Sequence, residues 1–415
     1  MKILAIETSC DETAVAIVDA RGKLESATGP RFFVCGNALI SQIEIHKEFG
    51  GIFPTIAKRE HTKNLVPLLK KTLKEAHMLS IRNRMRRDIF TAYSKQLMHI
   101  LEREPILLEQ MLEFLPTIKK PPVDAIAVTY GPGLEPALWV GINFARALSL
   151  VWDLPLIPVN HMHGHIAAGM FKLSSKRQNR SAKTAHNHIQ FPVLSLLISG
   201  GHTELVLMEN WKKFLVVGET RDDAAGEAFD KVARMLGLPY PGGPEISLLA
   251  NEARNKKLSV EKYLVAHLPR PMIKSNDLDF SFSGLKTSVL YALRGIEKMT
   301  RAHTLAYACE LEDAITDVLT EKVRKALIQY QARTLVIGGG VSANTHIRAA
   351  FAKLVSETFP QTALCVPERE LSTDNAVMIG MAAYIVLSQN NNLLTEQKPD
   401  IAADGNARLG EKIDS

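Results

Sequence analysis

At 415 residues, 46% of them apolar and 23% charged, the chain has the material for a large buried core and a length that favours two or three domains. Its four cysteines, Cys10, Cys35, Cys309 and Cys365, are far apart and form no CxxC pair, which excludes a zinc ribbon and a disulfide scaffold. The formal net charge is +6, and five basic residues between Lys172 and His188, with no acid among them, account for most of it.

Residues 2–7 and 13–19 read as apolar-rich strands around a polar turn at 8–12, and 32–36 as a third strand. A helix follows from about 61 to 79. Residues 80–120 place Leu and Ile at helical spacing among charges and end at Pro121-Pro122, which predicts an added helical insertion containing the basic run Arg82-Asn83-Arg84-Met85-Arg86-Arg87. Next come a strand at 123–129, a helix from the Gly131-Pro132-Gly133 turn through 150, and a strand at 156–159 leading into a helix with His161-Met162-His163-Gly164-His165. After the basic loop the pattern restarts. Strands at 193–198 and 204–208 flank Ser199-Gly200-Gly201-His202-Thr203, and a strand at 334–337 enters Gly338-Gly339-Gly340-Val341-Ser342-Ala343-Asn344 before another helix. The last patterned helix spans 374–387, and 389–415 reads as a frayed tail. The apolar run at 376–387 is too short to cross a bilayer and the first residues lack the pattern of a signal or transit peptide, so a cytoplasmic protein without membrane contact is expected.

His161 and His165, four residues apart, share one helix face, and the distant carboxylate of Asp374 in Ser372-Thr373-Asp374-Asn375 can close a third corner around a divalent transition metal. Such a set leaves coordination positions for a substrate. His163 lies off that face and is expected to meet solvent or to support the ligands. A zinc protease of the HExxH type is disfavoured because Met162 stands where its glutamate would be. The two strand–turn–strand units offer backbone N–H groups and short hydroxyls to phosphate, which suggests duplicated lobes around a nucleotide. A small-molecule kinase would use the same turns, although Mg²⁺ prefers oxygen ligands to imidazole. The basic loop suits a nucleic-acid backbone.

Eight stretches, in order, resemble the TsaD family of tRNA threonylcarbamoyl transferases: Ile6 to Thr13, Gly131 to Leu134, His161 with His165, Ser199 to Thr203, Asp222 to Lys231, Tyr240 to Pro244, Phe280 to Thr287 and Gly339 to Asn344. The resemblance implies an α/β, two-lobed fold of the actin, hexokinase and Hsp70 type with a nucleotide cleft between lobes. One lobe would take residues 1–170 and 375–398, the other 190–374, with a basic loop at 171–189 and a flexible tail at 399–415. It implies transfer of a threonylcarbamoyl group from threonylcarbamoyl-AMP to N6 of adenosine 37, beside the tRNA anticodon. His161, His165 and Asp374 would hold one divalent ion, iron in the first place or zinc. Leu197, Ile198, Ser199, Gly200, Gly201, Asp230, Gly243 and Asn344 would line the substrate site, and Asp11 or Glu12 would orient the incoming amine or take its proton. Implied partners are tRNA, a TsaB-like paralogue, a TsaE-like ATPase and a TsaC-type enzyme that makes the adenylate. Two positions depart from the family: Leu197 stands where the archaeal branch has a tyrosine ligand, and Ser247 where an acid is common.

Overall fold

Lys2–Glu7 (β1), Glu12–Arg21 (β2) and Arg31–Ser41 (β3) form an antiparallel meander, and Ala125–Gly131 (β4) and Leu156–Asn160 (β5) add to β1 in parallel. The sheet order is β3-β2-β1-β4-β5. A second sheet repeats the scheme. Val193–Ile198 (β6), Thr203–Asn210 (β7) and Lys213–Glu219 (β8) form the meander, and Thr334–Gly338 (β9) and Ala363–Cys365 (β10) extend it in parallel from β6. Two sheets with one connectivity, each packed with helices, constitute the duplicated α/β architecture of the actin and hexokinase superfold. The computed structural model describes residues 1–26, 28–81, 87–174, 189–394 and 400–412.

The chain divides into two units, Met1–Ile45 with Ile52–His188 and Asp374–Arg408, and His46–Gly51 with Ile189–Thr373 and Leu409–Ser415. Asp374 therefore groups with the first unit rather than with 190–374, because the Ala376–Gln389 helix behind it packs on β1, β2 and the histidine helix. Each unit has its own apolar core.

Several elements differ from the sequence pattern. The helix expected at 61–79 runs Pro54–Glu75, with proline at its first turn. β8 was not anticipated. The insertion is helical as expected and joins the first core: Leu97, Leu107, Met111 and Phe114, from helices Arg87–Ile100 and Pro105–Phe114, and Leu101 between them are buried in it. The fully enclosed Glu104 carboxylate ties it down, 3.5 Å from Lys58 Nζ and accepting from Asn143 Nδ2 at 3.1 Å. The tail is also ordered where it is described. Ile401 and Ala407 are buried, Asp404 N donates to Tyr130 O at 2.9 Å, Gly133 N donates to Gly405 O at 3.1 Å, and Glu411–Lys412 (β11) pairs with β8. Gly131 is required beneath this segment, since a Cβ there would meet Asp404 O at 1.9 Å. Residues 82–86 of the basic run Arg82–Arg87, and 175–188 of the stretch expected as a basic loop at 171–189, lie outside the described residues.

Candidate metal centre

Two asparagines set the local backbone. Asn160 Oδ1 accepts from Met162 N at 2.9 Å and His163 N at 3.4 Å, so the helix His161–Met170 begins where β5 ends and its first turn carries His161. Asn375 Oδ1 accepts from Met378 N at 2.9 Å and caps the Ala376–Gln389 helix, leaving Asp374 just outside its N-terminus. Gly164 lets these helices approach: a Cβ there would lie 3.0 Å from Ile379 Cδ1 and Met378 Cγ.

The result is a convergence. Asp374 Oδ1 lies 3.3 Å from His161 Nε2 and 3.1 Å from His165 Nε2, and the imidazoles meet edge to face with centroids 4.7 Å apart. One ligand atom from each residue falls within 4.8 Å of the others, a two-nitrogen, one-oxygen set that suits a divalent transition ion. The histidines are buried, whereas Asp374 keeps 20% of its side chain exposed, so the set is reachable from one side.

Behind His161 stands a group that sequence patterning missed. Glu7, wholly buried at the end of β1, has Oε2 3.1 Å from His161 Nδ1. Thr129 Oγ1 donates to the same oxygen at 2.6 Å, and Ser9 N donates to Oε1 at 2.5 Å. Burial by itself would lower the pKa of His161, but the carboxylates of Asp374 and Glu7 outweigh it and raise the value well above the ordinary one. The converse holds for the acids: burial opposes their ionisation, yet the His161 charge keeps both Glu7 and Asp374 below the usual carboxylate range. His163 is buried, not solvent-facing, because the whole His161–Met170 helix is enclosed, and burial pushes its pKa down to about 4.

Asp11, in the turn after β1, and Glu12, the first residue of β2, are both buried. Burial, then the charges of Asp11 and Asp374, push Glu12 up to about 10. The residues flanking this pair are tied to His61, another residue with no sequence signal: Nε2 bonds Cys10 O at 3.0 Å and Nδ1 bonds Thr13 Oγ1 at 2.7 Å. Since the carbonyl can only accept, Nε2 is the protonated nitrogen.

The second unit contains the other sequence candidates. Leu197 and Ile198 are β6 residues with fully buried side chains, so neither offers a side chain to a ligand. Beyond them the chain opens at Gly200 and Gly201, where an added Cβ would meet nothing within 4 Å. Ser199 O lies against Gly226, whose N–H donates to it at 3.2 Å. The Asp230 carboxylate accepts from the backbone N–H groups of Gly242, at 2.6 Å, and Gly243, which fixes the start of the Gly242–Asn255 helix. Asn344 is committed twice: Oδ1 accepts from Ile347 N at 3.0 Å, and Nδ2 donates to buried Glu312 at 2.6 Å.

A family model described as tRNA N6-adenosine threonylcarbamoyltransferase, TsaD, matches residues 33–81 and 99–381. Proteins of that name from Moorella thermoacetica and Syntrophomonas wolfei are 40% identical over 385 residues and 39% over 382; each alignment covers 92% of this chain and 91% of the relative. The Enterococcus faecalis protein of the same name is 36% identical over 390 residues, 94% of this chain and 91% of its own. Among solved structures, a ROK hexokinase from Thermus thermophilus aligns with a TM-score of 0.44 and 10% identity, over 94% of this chain and all of its own. Full-length HypF aligns at 0.47 and 12%, over 94% and 46%. With the family model spanning most of its length and relatives this similar throughout, the chain belongs to the TsaD family, the tRNA N6-adenosine threonylcarbamoyltransferases.

Proposed function

We propose that the cluster of His161, His165 and Asp374 is where this transferase carries out its reaction, with threonylcarbamoyl-AMP as donor and N6 of adenosine 37 in tRNA as acceptor. The observation that supports it most is the approach of two imidazoles and one carboxylate to a common point. These residues would hold Fe²⁺ or, with the same donors, Zn²⁺. When bound, the ion supplies Lewis-acid stabilisation of negative charge on the carbamoyl-phosphate group.

The chain's own groups do the rest. Asp11, beside Glu12, accepts from the N6 amine, orients it and takes its proton as the bond to the threonylcarbamoyl carbon forms and AMP leaves. His61 ties down the residues flanking this pair. In the second unit the open backbone at Gly200 and Gly201, with Gly243 in the first turn of its helix, admits the adenylate, and Asp230 and Asn344 hold the adjoining helix starts. Leu197 and Ile198 contribute as strand positions that aim the turn.

The reaction sets the partners. Supply of a labile acyl-adenylate calls for a TsaC-type enzyme, and a TsaB-like paralogue and a TsaE-like ATPase complete the cytoplasmic assembly. Purified protein incubated with threonylcarbamoyl-AMP and unmodified tRNA, with and without those partners, should yield threonylcarbamoyladenosine on nucleoside analysis. Absence of product in every combination would refute the proposal. A small-molecule kinase, which the glycine turns alone would allow, is set aside by family membership.

A further inference from the structure

The two histidines of the cluster are not equivalent. His161 Nδ1 faces a charged, fully enclosed carboxylate, with Ser9 Oγ 3.2 Å away, whereas Nδ1 of His165 is buried without a hydrogen-bond partner among the described residues. Glu7 is itself held rigidly. Its Oε1 is taken by the Ser9 N–H, and its Oε2 receives Thr129 Oγ1–H along with the ring. β1 and β4, which carry Glu7 and Thr129, are hydrogen-bonded neighbours in the first sheet, so the acid and its clamp come from one rigid platform.

From this asymmetry we infer that Glu7 is a positioning residue for the metal centre: with Thr129 as its clamp, it fixes His161 in the Nδ1–H tautomer and aims Nε2 at the ion. A carboxylate can only accept, so the proton between the two must sit on Nδ1, which leaves the Nε2 lone pair for coordination. The buried negative charge also makes that imidazole a stronger donor. His161 becomes the anchoring ligand, and His165 a ligand without such a support. This rests on the metal-site reading above.

The test uses the full-length, metal-stripped protein and Co²⁺ alone, with affinity from chelator competition and ligand environment from the visible ligand-field spectrum. Glu7→Gln places an amide N–H₂ toward a donor and should weaken Co²⁺ binding about 10- to 100-fold and alter the spectrum. Thr129→Val, which removes only the clamp, should weaken binding roughly 3- to 10-fold, with Thr129→Ser restoring it. Should Glu7→Gln fail to fold, the threonine pair still decides the matter. His161→Ala is the control: Co²⁺ binding retained there would overturn the metal site itself. Loss in His161→Ala alongside wild-type affinity and spectra in both Glu7→Gln and Thr129→Val would overturn only the role of Glu7.

Discussion

At the residue scale, a cation and a proton compete for His161. In the metal-free protein the imidazolium, paired with Asp374 and Glu7, has a raised pKa. Its stabilising contribution is complete below the pKa of an unfolded histidine and fades as pH rises through the folded value. Both acids are depressed, so they stay ionised through the neutral range and add no slope there. A metal needs the ring neutral, so affinity for Co²⁺ or Zn²⁺ should increase between pH 6 and 8, by up to about tenfold per unit. A flat profile by calorimetry would mean that no histidine proton is displaced. Part of this site was legible in the sequence. The i, i+4 spacing of His161 and His165 announces a shared helix face, but nothing local marks Glu7, Thr129 or His61. Their roles arise from strand neighbours and helix packing far apart in the chain, which a one-dimensional pattern does not contain. The solvent alternative for His163 falls for a related reason: periodicity locates a face, and only packing decides that this helix has no solvent face at all.

At the scale of elements, the segment at 400–408 has the greatest consequence for stability. Its polar composition and terminal position suggested fraying, yet Ile401 joins the first core and Arg146 donates to Ile401 O at 2.7 Å. Replacing Ile401 with Ala should cost about 2–4 kcal/mol of unfolding free energy, read from urea transitions of the first unit's signal. A frayed tail would give no change. The strand–turn–strand units were recognisable from alternating apolar runs and Gly-rich turns, which are local signals. β8 was missed because Lys213-Phe214-Leu215-Val216-Val217-Gly218-Glu219 is a short, charge-flanked run whose strand character depends on pairing with β7. The same dependence on neighbours hides the core contacts of residues 80–120 from the sequence. Leu107 and Met111 can be assigned to the core only when the helices they meet are known.

Across the whole molecule, one topology is used twice, and the two copies carry different chemistry. The first holds the imidazole and carboxylate donors; the second holds the glycine-opened turns. Charge is distributed just as unevenly, with five basic residues and no acid between Lys172 and His188. Substituting Lys176, Arg177 and Arg180 with Glu should weaken tRNA binding about 10-fold or more at low salt and flatten its salt dependence, as measured by filter binding over a salt series. Unchanged affinity and slope would assign RNA contact to other surfaces.

The most direct measurement strips the protein of metal, then titrates Fe²⁺ or Zn²⁺ back while following threonylcarbamoyladenosine formed on tRNA in the presence of the partner proteins. One equivalent of ion should restore transfer in the wild-type protein and fail to restore it in Asp374→Ala or His161→Ala. Full restoration in either variant at the same stoichiometry would contradict the assignment of the reaction to this centre.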